Sequence, residues 1–529
     1  MSDGKKLNTK ASGIIAAAVM CSRVLGLVRE VLFNSLFGTA SMGLFIIAFR
    51  IPNLLRDLFA EGALSTAFVT VFSQRIEKEG EPSAWSLAAK MMTLVTVFMS
   101  LVSLLGVLFS NQLVRLLAPG FASQDASFTI LLTQIMYPFI LLVSLAALIM
   151  GMLNSKNVFT APAMASSFFN IGSIVGGVFF GWLIDRNFGR NALIGLAVGT
   201  LLGGLLQLTT QLPSLRRAGF HFRPDFHWSD PGIRRILVLM VPSVIAASAV
   251  QINVLINTGF AASVGSDAVT WLNSAFRLMQ LPIGVFGVAV ATITLPVISR
   301  IAADADTSQF GPTLGKAMRL AVFLTLPAAV GLWFIAAPVI GLIYEHGKFV
   351  ANDTMQTGLA LQFYAIGLVA YSCIKVLSPA FYAIDRKWTP MLVSFLSIGL
   401  NLSLNYYFMF RLGLGHRGLA LSTTICAIVN FILLYFLMLR PAGTLDSGKF
   451  LGTLVRCAIA SGPLALVCWA VLSFAPPFFP SYGFWPKTLV LFTTIPAGAL
   501  AYLGACLLLR VEETTDALAL IKKKLARFR

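Results

Sequence analysis

The chain has 529 residues, 57% of them hydrophobic and only 11% charged, far more apolar surface than a water-soluble core needs, so a soluble globular protein is excluded and a polytopic membrane protein remains. A net charge of +18 would point to nucleic acid in a soluble chain. Here most of the excess lies in short connections and at the C-terminus, where it sets membrane orientation, and no nucleic-acid partner is expected.

The apolar segments are long and rich in Gly, Ala, Ser and Leu, without the roughly ten-residue alternation of an outer-membrane strand, so the fold class is an all-α helix bundle. At the N-terminus, MSDGKKLNTK runs into Ala11–Met20 and then meets Ser22-Arg23. No small-residue cleavage site follows, and the segment reads as a retained helix. Splitting the apolar runs at charged and Pro/Gly-rich breaks predicts fourteen spans. They fall at about 11–33, 41–74, 83–110, 126–153, 161–183, 190–210, 232–262, 268–299, 312–344, 354–384, 389–410, 418–439, 450–474 and 486–509.

Assigning alternate loops to opposite sides places about 23 Lys/Arg with the two termini and about 7 opposite, so both ends are expected in the cytoplasm. The largest cytoplasmic connection, Gln211–Arg235, carries five arginines near the middle of the chain. The tail after Arg510 is amphipathic and basic, suited to an anionic leaflet surface. An internal repeat supports a central division. Gly195-Leu196-Ala197-Val198-Gly199-Thr200 is echoed by Gly418-Leu419-Ala420-Leu421-Ser422-Thr423, and the loop ending at Pro162 by the loop ending at Pro390. Both pairs are offset by about 225 residues, as two parallel six-helix halves would be. The expected organisation is 1–215 for helices 1–6, 216–440 for helices 7–12, 441–510 for helices 13 and 14, and 511–529 for the tail.

Six cysteines scattered singly read as buried thiols, and four histidines near loops form no ligand pattern; neither a metal nor a cofactor is expected. The charges inside the spans are more informative. Arg23, Arg29, Arg50, Arg56, Arg277 and Lys375 stand against Glu30, Asp57 and Glu61. A charge at bilayer depth is tolerated only where it faces water, a partner or a ligand, and an excess of cations points to an anion. On the first helix Ser22, Gly26 and Arg29 share a face. On the second, Arg50, Asp57 and Glu61 align if the helix is continuous, but Pro52 should kink it between Ala48 and Asn53. Arg277 again lies shortly before a proline, Pro282, and the second half offers no carboxylate in any span.

Internal salt bridges are the alternative account for Arg29, Glu30, Asp57 and Glu61; Lys90, Arg319 and Arg456 are explained by snorkelling. Arginine suits phosphate because its planar fork donates two parallel bonds and stays ionised when desolvated. A cation-coupled drug exporter would need an embedded carboxylate, available only in the first two helices. A membrane enzyme acting on lipid-linked sugar would need acidic residues in sizeable outward loops, and these loops are short.

The motifs SRVLGLVRE (Ser22–Glu30), FRIPNLLRDLFAEGALSTAF (Phe49–Phe68), APGF (Ala118–Phe121), WLNSAFRLMQLPIGVFGVAVATITLP (Trp271–Pro296), YEHGKF (Tyr344–Phe349) and KVLSPAFYA (Lys375–Ala383) together resemble the MurJ lipid II flippases, the MVF branch of the MOP exporter superfamily. The resemblance runs from the first helix through the twelfth. It implies two six-helix lobes in a V, two further helices forming a groove for a polyprenyl tail, and alternating access. It also implies a non-enzymatic flippase of the bacterial cytoplasmic membrane. Its substrate would be undecaprenyl-pyrophosphate-linked disaccharide-pentapeptide, lipid II, with cell-wall synthesis machinery as a further partner. A flippase for another polyprenyl-linked glycan is the nearest alternative. Carried over, the family's cavity arginines fall on Arg23, Arg29, Arg56 and Arg277, which would hold the pyrophosphate. Ser22, Asn53 and Glu61 would orient them or the headgroup, and Arg50 and Lys375 are secondary candidates. Two positions depart from the pattern: Gly43 where the family often has an acid, and Asp57 where it often has a second arginine.

Overall fold

The computed structural model describes residues 9–58, 64–304, 307–474 and 484–515. The described residues form helices joined by turns and coil, with no strand among them. Among the described residues, eleven helices are long and apolar enough to cross a membrane, or twelve if one bent pair counts as a single span. All of these lie from Glu81 onward. That number accords with the fourteen predicted spans without reproducing it. Large apolar side chains such as Leu466, Trp469, Phe492 and Leu500 are exposed, as expected where the surrounding solvent is lipid and only self-satisfied helices survive. The chain forms two compact units, Met1–Thr270 and Trp271–Arg529.

In the first unit the helices are α1 (Thr9–Phe37), α2 (Thr39–Leu55), α3 (Ser65–Glu79), α4 (Glu81–Leu108), α5 (Ser110–Leu117), α6 (Ser123–Met136), α7 (Phe139–Ser155), α8 (Thr160–Ile184), α9 (Ala192–Thr209), α10 (Leu212–Arg217) and α11 (Pro231–Val264). The predicted span 41–74 is not one continuous α-helix. Pro52 lies inside α2, the α-helical winding stops at Leu55, and residues 56–58 form a π turn before α-helix resumes at Ser65. A proline removes one backbone donor and crowds the carbonyl four residues back, and the strain emerges here one turn later than the expected kink. The alignment of Arg50, Asp57 and Glu61 along one α-helical face therefore does not hold, and Glu61 itself lies outside the described residues.

Helices α8 and α9 approach backbone to backbone. A Cβ on Gly176 would meet Gly199 Cα at 2.9 Å, and one on Gly172 would meet Gly203 Cα at the same distance. Small residues at such spacing replace the hydrophobic drive that lipid cannot supply. The long connection before α11 is docked rather than loose. Phe220 packs on Trp85 at 5.3 Å, which packs on Phe72. Asp230 caps α11 by accepting from Gly232 N at 2.8 Å, and also accepts from Arg75 at 2.8 Å and Lys90 at 2.9 Å. Lys90 is thus held in an ion pair and does not simply snorkel. Burial by itself would raise the Asp230 carboxyl, but the bonds from Arg75, Lys90 and Gly232 outweigh it and hold it at about 2.

The second unit holds most of α12 (Ser266–Pro282), then a π turn at Ile283–Gly287, α13 (Val288–Ala303), α14 (Phe310–Tyr344), α15 (Ala351–Ile366), α16 (Leu368–Ala383), α17 (Trp388–Tyr406), a π turn at Tyr407–Arg411, α18 (Gly415–Ala442), α19 (Ser447–Phe474) and α20 (Phe484–Leu508). The predicted span 354–384 is bent by 48° at Gly367. Thr424 donates to Phe363 O at 2.8 Å, and the Gly367 N–H donates instead to Tyr364 O at 3.0 Å. A side chain from α18 has taken the acceptor that an α-helical bond would use. The core is built around α14, against which α19 and α20 pack; Tyr502 donates to Phe323 O at 2.9 Å. Arg319, expected to snorkel, is buried and paired with Glu513 at 2.8 Å, and Arg456 donates to Arg510 O at 3.3 Å. Five cysteines are buried as expected, while Cys21 is exposed.

Candidate functional site

In the first unit α1 presents Ser22, Arg23, Arg29 and Glu30. Arg23 is exposed, Arg29 half-buried and Glu30 buried, with 8% of its surface accessible. The guanidinium of Arg29 lies over the Phe169 ring of α8, 5.0 Å from its centroid. This cation–π contact fixes the guanidinium against α8. Ser22 enters through its backbone: its carbonyl accepts from Asn170 Nδ2 at 3.1 Å. Asn170 also lies against Gly26, where a Cβ would come 3.8 Å from its amide. A Cβ at 26 would make only ordinary van der Waals contact there, so the approach of α8 does not depend on glycine. Asn170 is missing from the residues expected at the site; its signal is a lone amide in a span otherwise rich in Gly, Ser and apolar residues.

The π turn supplies the second group. Arg56 donates to Asp57 Oδ1 from Nε at 3.2 Å and from Nη2 at 2.9 Å. Asp57 Oδ2 accepts from Gln251 Nε2 of α11 at 3.2 Å and, at 3.5 Å, from Asn53 Nδ2. The salt-bridge account therefore holds for Asp57, whose partner is the adjacent Arg56. Asn53 faces Asp57, and Gln251 is a second residue that sequence reasoning missed. Arg50 lies half-buried one turn and a half before Arg56.

The departure at Gly43 has a packing reason. Gly43 is buried, and a Cβ there would collide with the carbonyl oxygen of Ser266 at the start of α12. No side chain, acidic or otherwise, fits that position in this arrangement. Next to it Thr39 donates to Asp267 at 2.5 Å, and Thr270 donates to Thr39 O at 2.8 Å.

In the second unit Arg277 is half-buried on α12, five residues before Pro282 and the π turn. Its neighbour Phe276 packs edge-on to Tyr364 at 5.4 Å and to Tyr371 at 6.5 Å. Gly287 closes the π turn against Ser372, where a Cβ would meet the hydroxyl at 3.0 Å. Lys375 is exposed on α16, one turn beyond Ser372. Among the described residues no three His, Cys, Asp or Glu side chains come together as metal ligands would. The chemistry available is that of cations and amides presented from broken helices, which can hold an oxyanion and can shift position as the helices move.

A family model described as lipid II flippase MurJ matches residues 33–490. A lipid II flippase MurJ of Burkholderia cenocepacia is 34% identical over 471 residues, covering 87% of this chain and 89% of its own. A probable lipid II flippase MurJ of Vibrio cholerae is 33% identical over 95% of this chain and 96% of its own. Among solved structures, a lipid II flippase MurJ in an inward closed conformation superposes with a TM-score of 0.77 at 26% identity, covering 94% of this chain and 98% of that one. An inward-facing MATE multidrug transporter of the MOP superfamily shares the fold at a TM-score of 0.67 and 16% identity, over 82% of this chain and 98% of its own. A polytopic helical membrane protein carrying these motifs, and matched over most of its length, the chain belongs to the MurJ lipid II flippase family.

Proposed function

We propose that the protein is a flippase that carries lipid II from the cytoplasmic to the outer leaflet of the bacterial cytoplasmic membrane, with both of its termini in the cytoplasm. The observation that carries this reading is the sign of the charge inside the predicted spans: six cations against three acids, a surplus that attracts an anion. A pyrophosphate offsets that surplus, whereas a cationic drug would be repelled, and the fold shared with multidrug transporters therefore does not bring their substrate class with it. In this reading Arg23, Arg29, Arg56 and Arg277 bind the pyrophosphate, with Ser22, Asn53 and Glu61 ordering them or the headgroup and Arg50 and Lys375 adding to the field. Transport then requires alternating exposure of the bound headgroup, without covalent chemistry. The orientation rests on the cluster of basic residues in alternate loops, and contact with cell-wall synthesis machinery follows from the product's fate.

The test is ligand-dependent stability of the purified protein. Lipid II or undecaprenyl pyrophosphate at about 100 times its Kd should stabilise the fold by about 2.7 kcal/mol, and uncharged undecaprenol should not. Overexpression should add no resistance to cationic dyes. Dye efflux without stabilisation by the pyrophosphate lipid would overturn the reading in favour of an exporter.

A further inference from the structure

We infer that Asp57 is a built-in competitor for the pyrophosphate, a positioning residue that occupies the Arg56 fork when no ligand is bound and limits how tightly the ligand is held; the inference rests on the flippase reading. In a regular α-helix neighbouring side chains do not face each other. Here the π turn at residues 56–58 changes the angular step between Arg56 and Asp57, and the fork closes on the adjacent carboxylate through two bonds, both to Oδ1. The other oxygen is engaged separately, by the Gln251 amide of α11 and, at longer range, by Asn53. The carboxylate thus divides its roles: Oδ1 answers the charge, and Oδ2 is tethered by neutral donors from two helices.

That division has a consequence when an oxyanion arrives. The pair is a quarter exposed, with side-chain accessibilities of 22% and 28%, so a ligand can reach it. A phosphate offers more charge and more acceptor oxygens than one carboxylate, so it displaces Oδ1. Asp57 cannot swing far, because Gln251 and Asn53 still hold Oδ2. It therefore stays beside the bound phosphate as a like charge that weakens the complex and is ready to reclaim Arg56. A carrier needs binding strong enough to load and weak enough to release, and Asp57 supplies the second condition.

The variant Asp57→Asn keeps an acceptor oxygen for Arg56 and removes the charge; its amide nitrogen takes the place of Oδ2, so the amides of Gln251 and Asn53 must turn their oxygens toward it. Measured with undecaprenyl pyrophosphate on the purified full-length protein, its Kd should fall about fivefold or more, the size expected for a partly exposed ion pair. Lipid II turnover in proteoliposomes should fall with it, while the melting temperature without ligand stays unchanged. In an Arg56→Ala background the same change should tighten binding less, because the occupied fork is gone. Asp57→Ser serves as the second variant should the amide not accumulate. Failure of the parent itself to bind undecaprenyl pyrophosphate would remove the flippase reading. Binding by the parent with an equal or weaker Kd in Asp57→Asn, or equal tightening in both backgrounds, would overturn the role of Asp57 alone.

Discussion

The two broken helices, α2 with its π turn and α12 with its own, are built alike and charged differently. Each carries a Phe-Arg pair, Phe49-Arg50 and Phe276-Arg277, followed by a proline and then by a π turn beginning at residue 56 in one and 283 in the other. Both correspondences are offset by 227 residues, beside the offset of about 225 at which the sequence repeats. In the first unit the π turn carries Arg56 and Asp57, so its cation is answered on the spot by the neighbouring residue. In the second the π turn is Ile283–Gly287, wholly apolar, and the helix puts no acid within two turns of Arg277. The same backbone device thus serves two ends. One half pairs its cation with the adjacent anion, and the other carries its cation on a helix with no acid within two turns.

This contrast is broken most directly at Arg277. Arg277→Ala should abolish complementation of a flippase-depleted strain while leaving abundance in the membrane intact, because its loss orphans no acid on its own helix and costs ligand affinity rather than stability. Full complementation would show that the second unit's arginine is no more than a structural charge. A change of stability is expected instead where the first unit answers its cations. Asp230→Ala leaves Lys90 without its anion and Arg75 with Glu79 alone and should cost about 2–3 kcal/mol, read as a fall in melting temperature without loss of ligand binding at low temperature. The pH dependence has the matching sign. A carboxyl held near 2 in the folded protein, against an ordinary value near 4, contributes stability that is full above about pH 4 and is lost as the pH falls toward 2. That acid-side loss should be missing from Asp230→Ala. The smallest effect sharpens the role of arginine geometry at the exposed end of α1. Arg23→Lys keeps the charge but loses the two-point contact, and lipid II affinity should fall by about tenfold. Parental binding by Arg23→Lys alongside failure of Arg23→Ala would mean that Arg23 acts as a point charge.

The sequence by itself determined what physical chemistry settles locally. Long apolar runs must be helices because lipid offers no partner for an open backbone. Pro52 and Pro282 must disturb their helices because each removes a donor. Charges inside those runs must serve a ligand or a partner because their burial is costly. Tertiary structure decided which partner each polar group meets, since that depends on helices hundreds of residues apart. Asp57 meets Gln251 across 194 positions, Asp230 meets Arg75 across 155, and Arg319 meets Glu513 across 194. No helical period connects such pairs. The same holds for Gly43, which reads as a missing acid in the sequence and proves to be the seat of the Ser266 carbonyl. It holds too for Gly367, an ordinary residue of a span until Thr424 takes the carbonyl that its helix would have used. Backbone preference spans a few residues, whereas close packing and the need to satisfy every buried polar group act between whatever segments the fold brings into contact.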